Sequence, residues 1–295
     1  MTLTDDIRAA AARVAEEARS VRIVHEAIAP YARSLPAQAP PAPELEGADD
    51  EARAAFSLQL NAINFGSGWF PTIRKRDGLS GYRTMEAGLR AHGPWTADEL
   101  RQITKEEIAH TLGQDPGHVL MALFERHLRE LGERIGGSFL EFARSFDRSA
   151  EALATELATW PTWQDVSPYP SGPVPFFKRA QIAAADLALT GIAPADDLHR
   201  LTLFADNLVP HVLRLDGVLE FDPELVARID AGKLLEHGSP EEVEIRACAL
   251  HAVELLVQAH PEPTTAASLD WVLWTRGGAP EYKAHPRHRA PTTAY

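Results

Sequence analysis

Apolar positions along this chain recur mainly at helical spacing. Residues 3–29 are rich in Ala, Glu and Arg with a helical repeat, which predicts one long helix. Leu35 to Pro43 holds Pro36, Pro40, Pro41 and Pro43 and reads as a connector. Helix resumes near Asp49. Thr96 with Glu99, and Thr104 with Glu107, each fit a capping box, in which hydroxyl and carboxylate satisfy the free amides of a helix start. Asp222-Pro223 and Ser239-Pro240-Glu241-Glu242 place a cap before a first-turn proline, and Glu242 completes a third box. Beyond it, Ile245, Ala249, Ala252 and Leu256 predict an amphipathic helix with one buried face. Strand signals are sparse: no alternating β-branched run is bounded by hairpin dipeptides. Residues 168–175 and 191–194 read as loops, and no repeat suggests a solenoid. The pattern predicts an all-α fold, one compact multi-helix domain over residues 1–295.

Composition narrows the partners. With 295 residues, 45% apolar and 24% charged, the chain is neither disordered nor fibrous. Its 29 Lys and Arg against 42 Asp and Glu give a net charge of −13, which weighs against a stable nucleic-acid partner. The dense basic spots Arg74-Lys75-Arg76, Lys178-Arg179 and Arg287-His288-Arg289 suit a small anion or plain solvation. A lone Cys248 rules out a cystine scaffold and points to a reducing, cytoplasmic setting. No apolar run is long enough for a membrane span, and the N-terminus lacks the pattern of a secretory signal.

Three stretches could carry chemistry. Asp206 lies in the apolar run Phe204 to His211, where an unpaired carboxylate is costly. Were that run helical, Pro210 would free the Asp206 carbonyl and kink the backbone. Asp206 is then either a re-aimed general base or a helix cap. Lys178 and Arg179 follow Pro175 in a first turn that could hold a phosphate. Arg179 and Asp186, two turns apart, could equally form a structural pair. Asn64-Phe65-Gly66-Ser67-Gly68-Trp69 sets two glycines between aromatics. It reads as a turn able to stack on a planar base, or as a packed aromatic turn. The tail with His288, Arg289 and Tyr295 either frays or folds back over a site. No Cys cluster and no His-Glu-x-x-His supports a zinc site, and no phosphate-loop or nucleophile-elbow motif occurs.

These residues together resemble the queuosine salvage proteins. The resemblance runs from about Asn64 to Tyr295. It is strongest in Phe176-Phe-Lys-Arg-Ala-Gln-Ile182, Leu203-Phe-Ala-Asp206, Pro210, Glu242-Val-Glu-Ile-Arg246 and Val253-Glu-Leu255. Asn64-Phe65, Gly81-Tyr82, Gly136-Gly-Ser-Phe139, His288-Arg289 and Tyr295 support it in the same order. The resemblance implies a helical fold like that of the helix-hairpin-helix DNA glycosylases. It implies hydrolysis of the N-glycosidic bond of queuosine 5′-monophosphate to release queuine, with no metal or redox cofactor. By match, Asp206 is the catalytic aspartate and Lys178 the active-site lysine. Phe65, Trp69 or Trp274 would sandwich the base, and Lys178 or His288-Arg289 would meet the phosphate. Asn64, Asn207, His211 and Tyr295 complete the expected contacts. The chain departs from animal and fungal members at Asn207-Leu208, His211 and Thr275. A glycosylase for another modified purine nucleotide, or a non-catalytic binder of modified nucleosides or tRNA, are the rival readings.

Overall fold

The computed structural model describes residues 2–38 and 44–295, so Pro40, Pro41 and Pro43 of the expected connector lie outside the described residues. The chain begins with α1 (Leu3–Glu17), β1 (Val21–Ile23), α2 (His25–Ser34) and α3 (Asp50–Ala62). It continues through α4 (Gly81–His92), α5 (Ala97–Gln102), α6 (Lys105–Leu112), α7 (Val119–Ile135), α8 (Phe139–Arg144) and α9 (Ala150–Ala158). Next come β2 (Val166–Ser167), β3 (Val174–Pro175), α10 (Lys178–Leu189), α11 (Val209–Leu215) and β4 (Leu219–Phe221). The last elements are α12 (Pro223–Asp230), α13 (Pro240–Ala259), α14 (Ala266–Arg276) and α15 (Pro280–Lys283). The fold is therefore mostly helical. No helix among the described residues is long and apolar enough to cross a membrane.

The single helix expected over residues 3–29 is broken. At Val21-Arg22-Ile23 the burial alternates, and these residues pair antiparallel with Leu219–Phe221. Two β-branched residues facing one side, with a partner strand from far along the chain, override the helical composition around them. Inside the predicted 168–175 loop, Val174-Pro175 pairs with Val166-Ser167.

The capping boxes at Thr96 and Thr104 form as expected. At Ser239 only half of the box forms: the hydroxyl accepts from the Glu242 amide, while the Glu242 carboxylate turns to the Gly238 amide and His237. The helix it opens, α13, does not show one buried face. Ile245, Ala249, Ala252 and Leu256 are fully buried, but so are Val243, Arg246, Ala247, Cys248 and Val253. A helix covered by α1, α2, α11 and α14 is a central spine, so most of its faces are interior.

Candidate active site

The run that carries Asp206 has no helical or other regular structure up to that residue. Pro210 consequently occupies the first turn of α11, where its missing N–H costs nothing, and no kink forms. Asp206 caps this helix. Its Oδ1 accepts from the amides of Leu208 (2.7 Å) and Val209 (3.1 Å). The cap therefore forms as one of the two expected readings, and it uses one oxygen. Among the described residues Oδ2 has no protein donor, and the side chain lines a cavity of about 300 Å³. That volume lies at the lower end for small-molecule sites.

Three side chains surround this carboxylate. Lys178 is the first residue of α10, and its Nζ donates to the Asn64 carbonyl (3.0 Å). Burial lowers its ammonium to about 8, while Asp206 and Asp270 pull the other way. Arg287, half-buried, is attracted to Asp206 and lines the same cavity. Asp270, on α14, accepts the Phe204 amide at 3.1 Å. Burial first, and then the neighbouring charge of Asp206, holds its carboxyl well above the usual range. The sequence offers the stretch Asp270-Trp271-Val272-Leu273-Trp274 as a candidate but gives Asp270 itself no role, although an acid among apolar residues is a signal of the same kind as Asp206.

The aromatic wall differs partly from expectation. Phe65 and Trp274 line the cavity. Trp274 stands edge-on to Tyr82 (5.7 Å, 83°) and to Trp271 (5.7 Å, 71°). Trp69 does not line it; the short helical turn Phe70–Thr72 turns Phe70 inward instead. Among the described residues, the buried Ser67 Oγ and Trp271 Nε1 beside this wall have no protein partner. Buried polar groups are normally paired, so orphans beside a cavity suit a polar ligand.

The tail folds back over the site. Arg287 and Tyr295 line the cavity, whereas His288 and Arg289 do not. The His288 carbonyl accepts from Asn207 Nδ2 (3.0 Å), and Arg289 donates to the Gly232 carbonyl (3.1 Å). Arg287 therefore takes the place in the site expected of His288 and Arg289, the latter being drawn away to Gly232. Asn207 does line the cavity. His211 is buried behind it, Nε2 against the Tyr282 carbonyl (2.9 Å), and burial pushes it down to about 4. The glycines of the 64–69 turn make this docking possible: Gly66 (φ +104°) donates to the Tyr295 carbonyl (3.1 Å), and a Cβ on Gly68 would overlap the Ala290 carbonyl. Gly68→Ala is expected to cost about 1–3 kcal/mol, as overpacking does, and to lower activity by displacing the tail. Urea midpoints and turnover of the purified variant check both effects.

The expected pair between Arg179 and Asp186 does not form. Arg179 turns to the carbonyls of Ala62 (2.9 Å) and Thr162 and to His127. Nor is the start of α10 open to phosphate, because the Lys178 amide is taken by Asp165 Oδ2 (3.0 Å). Asp186 accepts from Asn61 Nδ2 (2.8 Å), its other oxygen is orphaned, and burial pushes it up to about 7. A carboxyl raised above its unfolded value favours the folded state through its proton, and that benefit disappears as pH rises through about 7. Asp186→Asn should therefore raise the melting temperature at pH 8 and leave it nearly unchanged at pH 4. An equal shift at both pH values would contradict this.

A family model described as queuosine salvage protein matches residues 45–295. The queuosine 5′-phosphate N-glycosylase/hydrolase of Sphaerobacter thermophilus is 35% identical, over 96% of this chain and 95% of its own. Proteins of the same name from Dictyostelium discoideum (36% identical, 83% of this chain and 79% of theirs) and Bos taurus (32%, 68% and 66%) also match. The agreement extends well beyond the site to the frame that holds it: this chain belongs to the queuosine salvage protein family.

Proposed function

We propose that the protein hydrolyses the N-glycosidic bond of queuosine 5′-monophosphate and releases queuine. The observation that carries this is the placement of Asp206, with one oxygen free of protein donors, on the cavity wall with Asp270, a buried carboxyl that burial and the Asp206 charge push toward its protonated form. As the bond to the base breaks, positive charge develops at C1′, as in other glycoside cleavage. Asp206 stabilises that charge and accepts a proton from the attacking water, whose oxygen bonds to C1′. The bond electrons leave with the base. Queuine has carbon where a purine has N7, so that position offers no lone pair to protonate. Asp270 donates its proton at the base as it leaves. Asp206 then holds a proton and Asp270 does not, and transfer between the two restores the starting state. Such a pair sharing one proton is a recurrent device for acid–base work at neutral pH.

Lys178 sets a positive charge near Asp206 and fixes the 64–70 turn through the Asn64 carbonyl. Phe65 and Trp274 offer faces to the base. Arg287 and Lys283, both on the cavity wall, suit the 5′-phosphate, in place of His288 and Arg289. Incubation with the nucleotide and chromatography for free queuine tests the reaction. The nucleoside should turn over more slowly, and Arg287→Ala should narrow that gap; equal wild-type rates on both would remove the phosphate role. If charged Lys178 is required, kcat should decline as pH rises through about 8.

Thr275 lines the cavity where animal and fungal members carry Asp, which favours a second reading: a related 7-deazaguanine nucleotide as substrate. Competition between such nucleotides separates the two. The continuous core from Ile7 to Tyr282 supports a single domain, and the buried thiol of Cys248 supports a reducing, cytoplasmic setting. Kinship with the helix-hairpin-helix glycosylases rests on the motif resemblance and the helical content.

A further inference from the structure

Behind the cavity lies an ion pair that touches neither Asp206 nor the Lys178 ammonium, yet holds the backbone of both. Arg246, on the central helix α13, is fully buried, and Asp165 nearly so. They pair through two hydrogen bonds, Nη1 to Oδ1 (2.9 Å) and Nη2 to Oδ2 (2.8 Å). Arg246 also donates through Nε to the Ala205 carbonyl (3.0 Å), the peptide that precedes Asp206. Asp165 spends its remaining capacity on the start of α10. Its carboxylate accepts the Lys178 amide (3.0 Å), and its carbonyl accepts the Phe176 amide (2.9 Å).

Between those two amides sits Phe177, in the left-handed region at φ +48°, ψ +45°. A non-glycine residue adopts that conformation only where its surroundings enforce it. Here Asp165 grips the chain on both sides of it. The guanidinium is itself fixed in place, with the Phe176 ring 3.9 Å from it and the Tyr295 ring at 4.5 Å. Glu242, one turn earlier on α13, lies 3.8 Å from Arg246 and adds negative charge.

A fully buried ion pair is a weak way to stabilise a fold, since apolar residues of equal volume often do better. Its geometry is specific where its energy is not. We infer that Arg246 and Asp165 are positioning residues, a clasp that sets the catalytic aspartate and the active-site lysine in register across the cavity. The inference rests on the proposed roles of Asp206 and Lys178. It adds two residues with no contact to the cavity, one of them, Asp165, outside every motif singled out in the sequence.

The test uses two full-length variants and two readouts. Asp165→Asn keeps the shape but removes the charge and one acceptor. The double variant Asp165→Leu with Arg246→Met removes both members of the pair and leaves Glu242 to the Gly238 amide and His237, so it is the second measure if the single variant folds poorly. The first readout is steady-state release of queuine from queuosine 5′-monophosphate. Both variants should lose at least 10-fold in kcat with KM within about 3-fold, since a small misplacement of reacting groups is costly to the chemical step. Arg246→Lys, which can keep the charge but not three donor directions, should fall between wild type and the double variant. The second readout is amide hydrogen exchange at Lys178 and at residues 204–209, which should speed up by at least 10-fold while α1 and α7 stay protected. A purely structural pair would instead lower the melting temperature and leave kcat of the folded fraction unchanged. That result, with unchanged exchange at 204–209, would overturn the clasp. If the wild type releases no queuine, the proposed reaction fails, and the exchange readout still decides whether the clasp exists.

Discussion

Asp206→Asn should lose 10²–10⁴-fold in kcat, the usual range for a central acid–base group. The protein should stay folded, because Asn keeps an oxygen for the Leu208 and Val209 amides and so preserves the cap of α11. The expected signature is a fall in kcat with little change in KM, which marks an interaction made chiefly in the transition state. A fall in KM alongside kcat would mean that the carboxylate strains the bound substrate. Unchanged kcat would refute the role. Circular dichroism and the melting temperature of the same sample exclude a trivial loss of fold.

Asp270→Asn is expected to be the second most damaging change at the cavity, about 10²-fold in kcat. The amide still accepts from Phe204 N–H but has no acidic proton to transfer. The pH dependence distinguishes this role from a structural one. Burial and Asp206 hold Asp270 protonated well above the usual carboxylate range. Wild-type kcat should therefore fall on the alkaline side when Asp270 finally ionises, and the Asp270→Asn protein should lose that limb. What remains should follow Lys178, near pH 8. Stability gives an independent check. A carboxyl with a raised folded pKa destabilises the fold progressively as pH climbs above its unfolded value, so Asp270→Asn should melt above wild type at pH 9. Equal melting temperatures at that pH would indicate that Asp270 is not held protonated.

The sequence carried local features faithfully. Thr96, Thr104 and Asp222 cap helices because a cap needs only residues within one turn. Asn64, Phe65, Lys178, Asp206, Asn207, Trp274 and Tyr295 all reach the cavity wall, from elements far apart in the chain. What the sequence hid depends on long-range contacts. The strand Val21–Ile23 exists because residues 219–221 lie alongside it. Arg179 abandons Asp186 because the Ala62 and Thr162 carbonyls are better placed than a residue two turns away. Trp69 gives way to Phe70, and His288 to Arg287, by one position each. A one-residue offset in a turn or an extended tail decides which side chain faces inward, and composition has no access to it. Asp270 was visible as an acid in an apolar stretch; its nearness to Asp206 is a long-range contact that the sequence does not carry.

The most direct measurement is single-turnover release of queuine, with wild-type and Asp206→Asn proteins each in molar excess over the same queuosine 5′-monophosphate. Binding then no longer limits the reaction, and the rate reports bond cleavage alone. The wild type should convert the substrate completely to free queuine, and Asp206→Asn should do so at least 100-fold more slowly. Equal rates for the two proteins, or no queuine from the wild type, would contradict the account.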